Sequence, residues 1–193
     1  MAITSAIMVP TSQFIVRDYI ATTQGLDQAG YWQGVWYIST TYLMIVTTAL
    51  STYYLPRLSE ITDKNELKKE ILQGYKILLP IVIICGLMIY LLRDFIIYIL
   101  FSDSFSPMKQ LFTWQIIGDV FKIASWLLAY VMLAKAMTKA FIISEILFSL
   151  MFVFLTYMLV PLVGTIGATY AYCINYMLYL IAIFLIIRYK LKK

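Results

Sequence analysis

The sequence predicts an all-α membrane protein built as a bundle of six transmembrane helices. Three observations lead there. First, the 193 residues are 62% hydrophobic and only 13% charged, with a mean hydropathy of +0.84. Soluble domains carry about 25% charged residues. Second, six apolar segments, roughly 1–23, 31–56, 77–101, 111–134, 140–160 and 164–187, each approach the ~20 residues a spanning helix needs. Spanning strands would be shorter and would alternate in polarity. Third, the basic residues are unevenly shared between alternate connections. Eleven of the 15 Lys and Arg lie in the 57–76 loop, the 135–139 connection and the 188–193 tail, whereas the opposite loops hold only Arg93 and Lys109. This positive-inside bias sets both termini in the cytoplasm. It also assigns the +5 net charge to topology and anionic lipid rather than to nucleic acid.

The segments differ in character. The first, 1–23, carries Pro10 and Arg17 and has no basic region before it. It is a poor signal peptide and reads as a helix whose cytoplasmic start is missing, so a longer protein is expected. The second, 31–56, is uninterrupted until Pro56. Between the second and third spans, residues 63–76 set Leu67, Ile71 and Tyr75 on one face behind Asp63 and Glu66. That pattern predicts an amphipathic helix on the cytoplasmic surface. The third segment is clean only over 77–92. Arg93 and Asp94 follow, so a short span with an interfacial helix over 93–101 is expected, one long tilted helix with a snorkelling Arg93 being the alternative.

The fourth segment, 111–134, holds an acid and a base at mid-length. Gln115, Asp119, Lys122 and Trp126 are spaced 4, 3 and 4 and share one helix face. One charge at mid-span costs ~2.5–3.5 kcal/mol and a Leu returns at most ~0.6 kcal/mol. Two lipid-facing charges would therefore offset roughly ten leucines, so the face must look into protein or a wet cavity. Either an ion pair that fixes helix packing or a polar cavity wall meets this demand, and Gln115 extends the stripe beyond what pairing alone requires. In the first span, Arg17 suits a phosphate or Asp119, or snorkels to outer headgroups, and Gln13 lies one turn before it. Glu145 in the fifth span, 140–160, is read as a local interfacial salt bridge with Lys139 or Lys135. Asn175 in the last span, 164–187, is a candidate polar wall or interhelical bond.

Enzyme chemistry finds no support. There is no His, and the two cysteines, Cys85 and Cys173, sit in apolar runs as small hydrophobes. Neither a nucleophile set, a metal cluster nor a phosphate loop is present, so no cofactor and no metal is expected.

Four stretches carry a family resemblance: AGYWQGVWYIST (29–40), YYLPRLSE (53–60), the long run from Leu91 to Trp126 through WQIIGDV, and PLVGTIGATYAY (161–172). They resemble the C-terminal half of Wzx-type flippases for O-antigen and enterobacterial common antigen (lipid III) intermediates, within the MATE-like polysaccharide exporter superfamily. The resemblance implies one lobe of a two-lobe, twelve-helix transporter working by alternating access in the bacterial inner membrane. The implied substrate is an undecaprenyl pyrophosphate-linked oligosaccharide. The implied partners are the missing N-terminal lobe or a second copy, membrane lipids and polysaccharide polymerase machinery. On that basis Arg17 and Lys122 are candidates for the pyrophosphate or sugar path, and Asp119 for balancing Lys122 or coupling to a cation gradient. Gln13, Gln115 and Asn175 complete the candidate cavity set. A cation-coupled multidrug exporter and a non-transporting scaffold for polysaccharide assembly are the competing readings.

Overall fold

A computed structural model describes residues 2–192 and, within them, the side chains of 3–190. Among the described residues there are seven α-helices: α1 Ala2–Gln24, α2 Leu26–Ala49, α3 Leu55–Glu60, α4 Lys64–Leu100, α5 Phe112–Ala134, α6 Thr138–Val163 and α7 Ile166–Lys192. No strand occurs among the described residues. The protein is a helical membrane protein. Among the described residues four helical stretches, Lys64–Leu100, Asp103–Ala134, Thr138–Val163 and Ile166–Lys190, are long and apolar enough to cross a bilayer by length and composition.

The connections are short because special residues turn the chain. Gly25 alone joins α1 to α2 with φ 100°, a backbone open to glycine and strained for other residues. Gly164, at φ 74°, reverses α6 into α7, and next to it the Thr165 hydroxyl donates to Gln28 Oε1 (2.8 Å). Between α2 and α3, Leu50–Tyr54 widens into a π turn. Pro56, two residues on, has no N–H to offer the carbonyl of Thr52. Asp63 caps α4, accepting from the N–H groups of Asn65 and Glu66 at 2.8 Å each.

Helix α4 departs from the expected three pieces. The amphipathic segment 63–76, the short span 77–92 and the interfacial 93–101 are joined: Lys64–Leu100 is one helix of 37 residues, about 56 Å long. The charges at 93–94 do not break it because each is satisfied nearby. Arg93 donates to the Tyr90 carbonyl (2.9 Å) and lies over the Tyr90 ring, and Asp94 pairs with Lys109 from the 3-10 helical segment Asp103–Leu111. At 1.5 Å per residue such a helix exceeds the ~30 Å hydrocarbon layer, so its polar N-terminal turns extend past it.

Helix α5 is the central element. It packs most extensively against α7, then α4, and touches α2, α3 and α6 as well. Helix α6 closes against α7 and α1, and α1 against α2. The buried apolar side chains form two clusters rather than one. One gathers Leu43, Leu50 and Leu58 with Ile123, Leu127 and Ile183. The other gathers Trp32, Val35 and Trp36 with Leu111, Phe112 and Tyr172. Buried or half-buried polar residues interrupt this packing on three helices: Ser39 and Tyr42 on α2, Gln115, Asp119 and Lys122 on α5, and Asn175 and Tyr176 on α7. This mid-bundle belt is where an apolar core is interrupted at the highest energetic cost.

Candidate functional site

The belt is built around Asp119, which is 0% exposed. Its carboxylate accepts three hydroxyl hydrogen bonds. Ser39 Oγ and the Tyr172 hydroxyl donate to Oδ1 at 2.6 and 2.8 Å, and the Tyr42 hydroxyl donates to Oδ2 at 2.8 Å. Gln115 Nε2 donates to Ser39 Oγ (3.3 Å) and so backs the network. Three donors from two neighbouring helices satisfy most of the carboxylate's acceptor capacity, as a buried charge requires.

Tyr172 reaches Asp119 because Gly118 precedes the acid. A Cβ at residue 118 would lie 2.4 Å from Tyr172 Cδ1 and 3.3 Å from the Cys173 backbone. The glycine lets α7 approach α5 closely enough for the tyrosine ring to occupy the space a Cβ would take. Cys173 is buried at this crossing, and Cys85 is half-buried on α4.

Lys122 is held differently. Of the two arrangements open to it, Lys122 does not take a salt bridge at contact distance: it forms none among the described residues, although its charge and that of Asp119 still act on each other through space. Its ammonium sits among four aromatic rings, 5.2 Å from the centre of Trp126, 5.6 Å from Trp36, 5.7 Å from Tyr176 and 5.9 Å from Tyr172. Electron-rich ring faces substitute for a carboxylate at this range. One helix turn thus keeps an acid in a hydroxyl clamp and a base in an aromatic box. Tyr172 belongs to both, through its hydroxyl and its ring.

The same rings wall a cavity of about 50 Å³, also lined by Gln13 from α1, Glu145 and Ser149 from α6, and Asn175 from α7. That volume holds a few water molecules. Asn175 Oδ1 is buried there without a protein partner, and so is Gln115 Oε1 in the belt behind it. The structure therefore gathers Gln115, Asp119 and Lys122 on one inward face, as expected, and sets Gln13 and Asn175 on the cavity wall. Arg17 is not gathered with them. It is exposed one turn beyond Gln13, over the ring of Phe14 at 5.8 Å, and does not contact Asp119.

Glu145 corrects an expectation. It makes no salt bridge with Lys139 or Lys135. Its carboxylate turns into the bundle, lines the cavity and accepts from the Tyr179 hydroxyl at 3.0 Å, while Lys135 donates to the Ile61 carbonyl. The sequence reading also passed over Trp36, Ser39, Tyr42 and the tyrosines of α7. Tyr172, Tyr176 and Tyr179 are spaced 4 and 3, a one-face signal of the same kind that exposed Asp119 and Lys122. Among the described residues no group of three or more His, Cys, Asp or Glu could hold a metal ion.

Comparison with known proteins finds the chain 37% identical over 180 residues to Lipid III flippase of Escherichia coli (strain K12), and equally to Lipid III flippase of Shigella flexneri. The alignment covers 93% of this chain and 43% of each relative, so the chain spans less than half the length of the curated proteins it matches. No family model matches, and no solved structure matches significantly. The chain is thus a relative of the lipid III flippases, in keeping with the Wzx-type resemblance carried by its sequence.

Proposed function

We propose that this chain is the C-terminal lobe of a flippase for a lipid-linked oligosaccharide in the bacterial inner membrane. The observation that carries the reading is the polar belt. A bundle whose outer helices are apolar keeps an acid, a base, two unpartnered amide oxygens and a cavity glutamate at mid-depth. Intramembrane ionisable groups so arranged mark a substrate or ion path. The relatives' name supplies the kind of cargo.

In this reading α1, α2, α4, α5, α6 and α7 each cross the membrane, with both ends of the chain cytoplasmic. Helices α1 and α2 are rich in Ser and Thr, yet many of these hydroxyls donate to carbonyls three or four residues back. Thr22, Thr23, Thr40 and Thr41 do so, which hides their polarity inside the helix. A second six-helix lobe faces the cavity side, and the two alternate access around an undecaprenyl pyrophosphate-linked sugar. Lys122 offers positive charge behind the rings that wall the cavity, those rings offer stacking faces, and Arg17, with no acidic partner among the described residues, offers a guanidinium for phosphate. Asp119 is the candidate coupling acid. Polymerase machinery is the partner expected downstream.

The test is made in the native host at the chromosomal locus. Deletion, and separately Lys122→Met, should cause lipid-linked oligosaccharide to accumulate in the cytoplasmic leaflet at unchanged protein abundance. Heightened drug susceptibility without accumulation would assign the scaffold to drug export. No phenotype in either assay would overturn transport.

A further inference from the structure

Helices α4 and α7 both pack on α5 but hardly touch each other. Between them runs a groove of about 430 Å³, floored by Leu128 and walled by Ile71, Leu72 and Phe184, with Lys68 and Arg188 at one end. The spacing is regular. Lys68 stands one turn before Leu72 on α4, and Arg188 one turn after Phe184 on the antiparallel α7, so both cations close the same end of an apolar trough. At Ile187 the groove adjoins a second opening of about 230 Å³, which adds Lys64, Lys135 and Lys190.

No acid lines either opening. The acids of the neighbouring α4 turns, Glu66 and Glu70, are engaged by Arg57 at 3.2 and 3.6 Å. Lys68 and Arg188 make no ion pair among the described residues. Leu72 and Phe184 are 59% and 51% exposed, so the trough opens outward. It shares no lining residue with the cavity of the polar belt.

We infer that this groove is a binding site for an anionic phospholipid, one acyl chain lying between α4 and α7 and its phosphate held by Lys68 and Arg188. The occupant follows from complementarity: an apolar trough ends in paired cations on the side the basic residues assign to the cytoplasm, where anionic headgroups concentrate. Its separation from the polar cavity marks it as a seat for resident lipid rather than for cargo.

Native mass spectrometry of the purified, delipidated full chain tests this. In nonionic detergent it is titrated with dioleoyl-phosphatidylglycerol or dioleoyl-phosphatidylcholine. Each cation near an anionic headgroup contributes roughly fivefold in affinity, so phosphatidylglycerol should bind roughly 25-fold tighter. Lys68→Gln with Arg188→Gln should abolish that preference, and Phe184→Trp should weaken both lipids by filling the trough. Lys109→Gln, at the other end of the bundle, should change nothing. Equal binding of the two lipids by the unaltered chain, or a preference that survives the double substitution, would overturn the assignment. So would full displacement by millimolar inorganic phosphate, which marks a free-anion site, or by undecaprenyl phosphate at equal concentration, which assigns the groove to cargo.

Discussion

Substituting Gly118 with Ala tests how the acid's clamp is assembled. An added Cβ would lie 2.4 and 2.7 Å from the Tyr172 ring and 3.3 Å from Cys173 Cα. The ring cannot swing aside freely, because it is 1% exposed and packed against Trp36, Phe152 and Tyr176. Overpacking of this kind costs about 1–3 kcal/mol. Displacing Tyr172 also strains its 2.8 Å bond to Asp119, and a hydrogen bond to a charged group is worth about 1.5–3 kcal/mol. Replacing glycine inside a helix returns about 1 kcal/mol. The balance is a loss of about 1.5–5 kcal/mol, which for a chain this long lowers the melting temperature by roughly 3–20 °C. Thermal unfolding in detergent, followed by tryptophan fluorescence, reads the shift. Gly30→Ala is the control, since its Cβ would meet only Phe105 at an ordinary 3.7 Å. If Gly118→Ala melts no lower than Gly30→Ala, the close α5–α7 approach is not what seats Tyr172 on Asp119.

Two further outcomes follow from the same geometry. Tyr172→Phe keeps the ring in the Lys122 box and removes one donor from Asp119. It should cost about 1.5–3 kcal/mol in detergent unfolding, whereas Tyr157→Phe, whose ring stacks on Tyr19 near the surface, should cost less than about 0.5 kcal/mol. Glu145→Gln retains an acceptor for Tyr179 and should leave the melting temperature within about 2 °C. Removing its charge from the cavity should still reduce translocation in the native host, measured as accumulated lipid-linked sugar. Unchanged flux would make Glu145 a packing residue.

The sequence made one face of α5 legible. The 4, 3, 4 spacing of Gln115, Asp119, Lys122 and Trp126, with the cost of lipid-facing charge, was enough to turn that face inward. What holds each charge was not legible, because the partners come from elsewhere in the chain. Ser39 and Tyr42 lie on α2 and Tyr172 on α7, and only packing brings their hydroxyls within 2.8 Å of Asp119. Acid and base one turn apart fit either a pair or a polar cavity wall, and spacing alone does not choose between them. The aromatic box around Lys122 removes the need for one, and four rings from three helices leave no local signature. Glu145 misled for a related reason: nearby lysines in sequence suggested a salt bridge, but its own helix turns it toward Tyr179. The break expected at Arg93 and Asp94 failed because the Tyr90 carbonyl and Lys109 satisfy both charges without ending α4.

The most direct measurement is a double-mutant cycle on the two belt charges. Asp119→Asn, Lys122→Met and their combination are introduced at the native locus. Accumulated lipid-linked oligosaccharide is then quantified, with protein abundance followed by immunoblot. A buried ion pair broken at one partner leaves an uncompensated charge that removing the second relieves. Charges held by separate hydroxyl and aromatic anchors, each with its own task, give no such relief. The double substitution should therefore accumulate at least as much substrate as the worse single one, at comparable abundance. If the double variant instead transports better than both single variants, Asp119 and Lys122 serve mainly to neutralise each other, and the two-anchor account of the site is wrong.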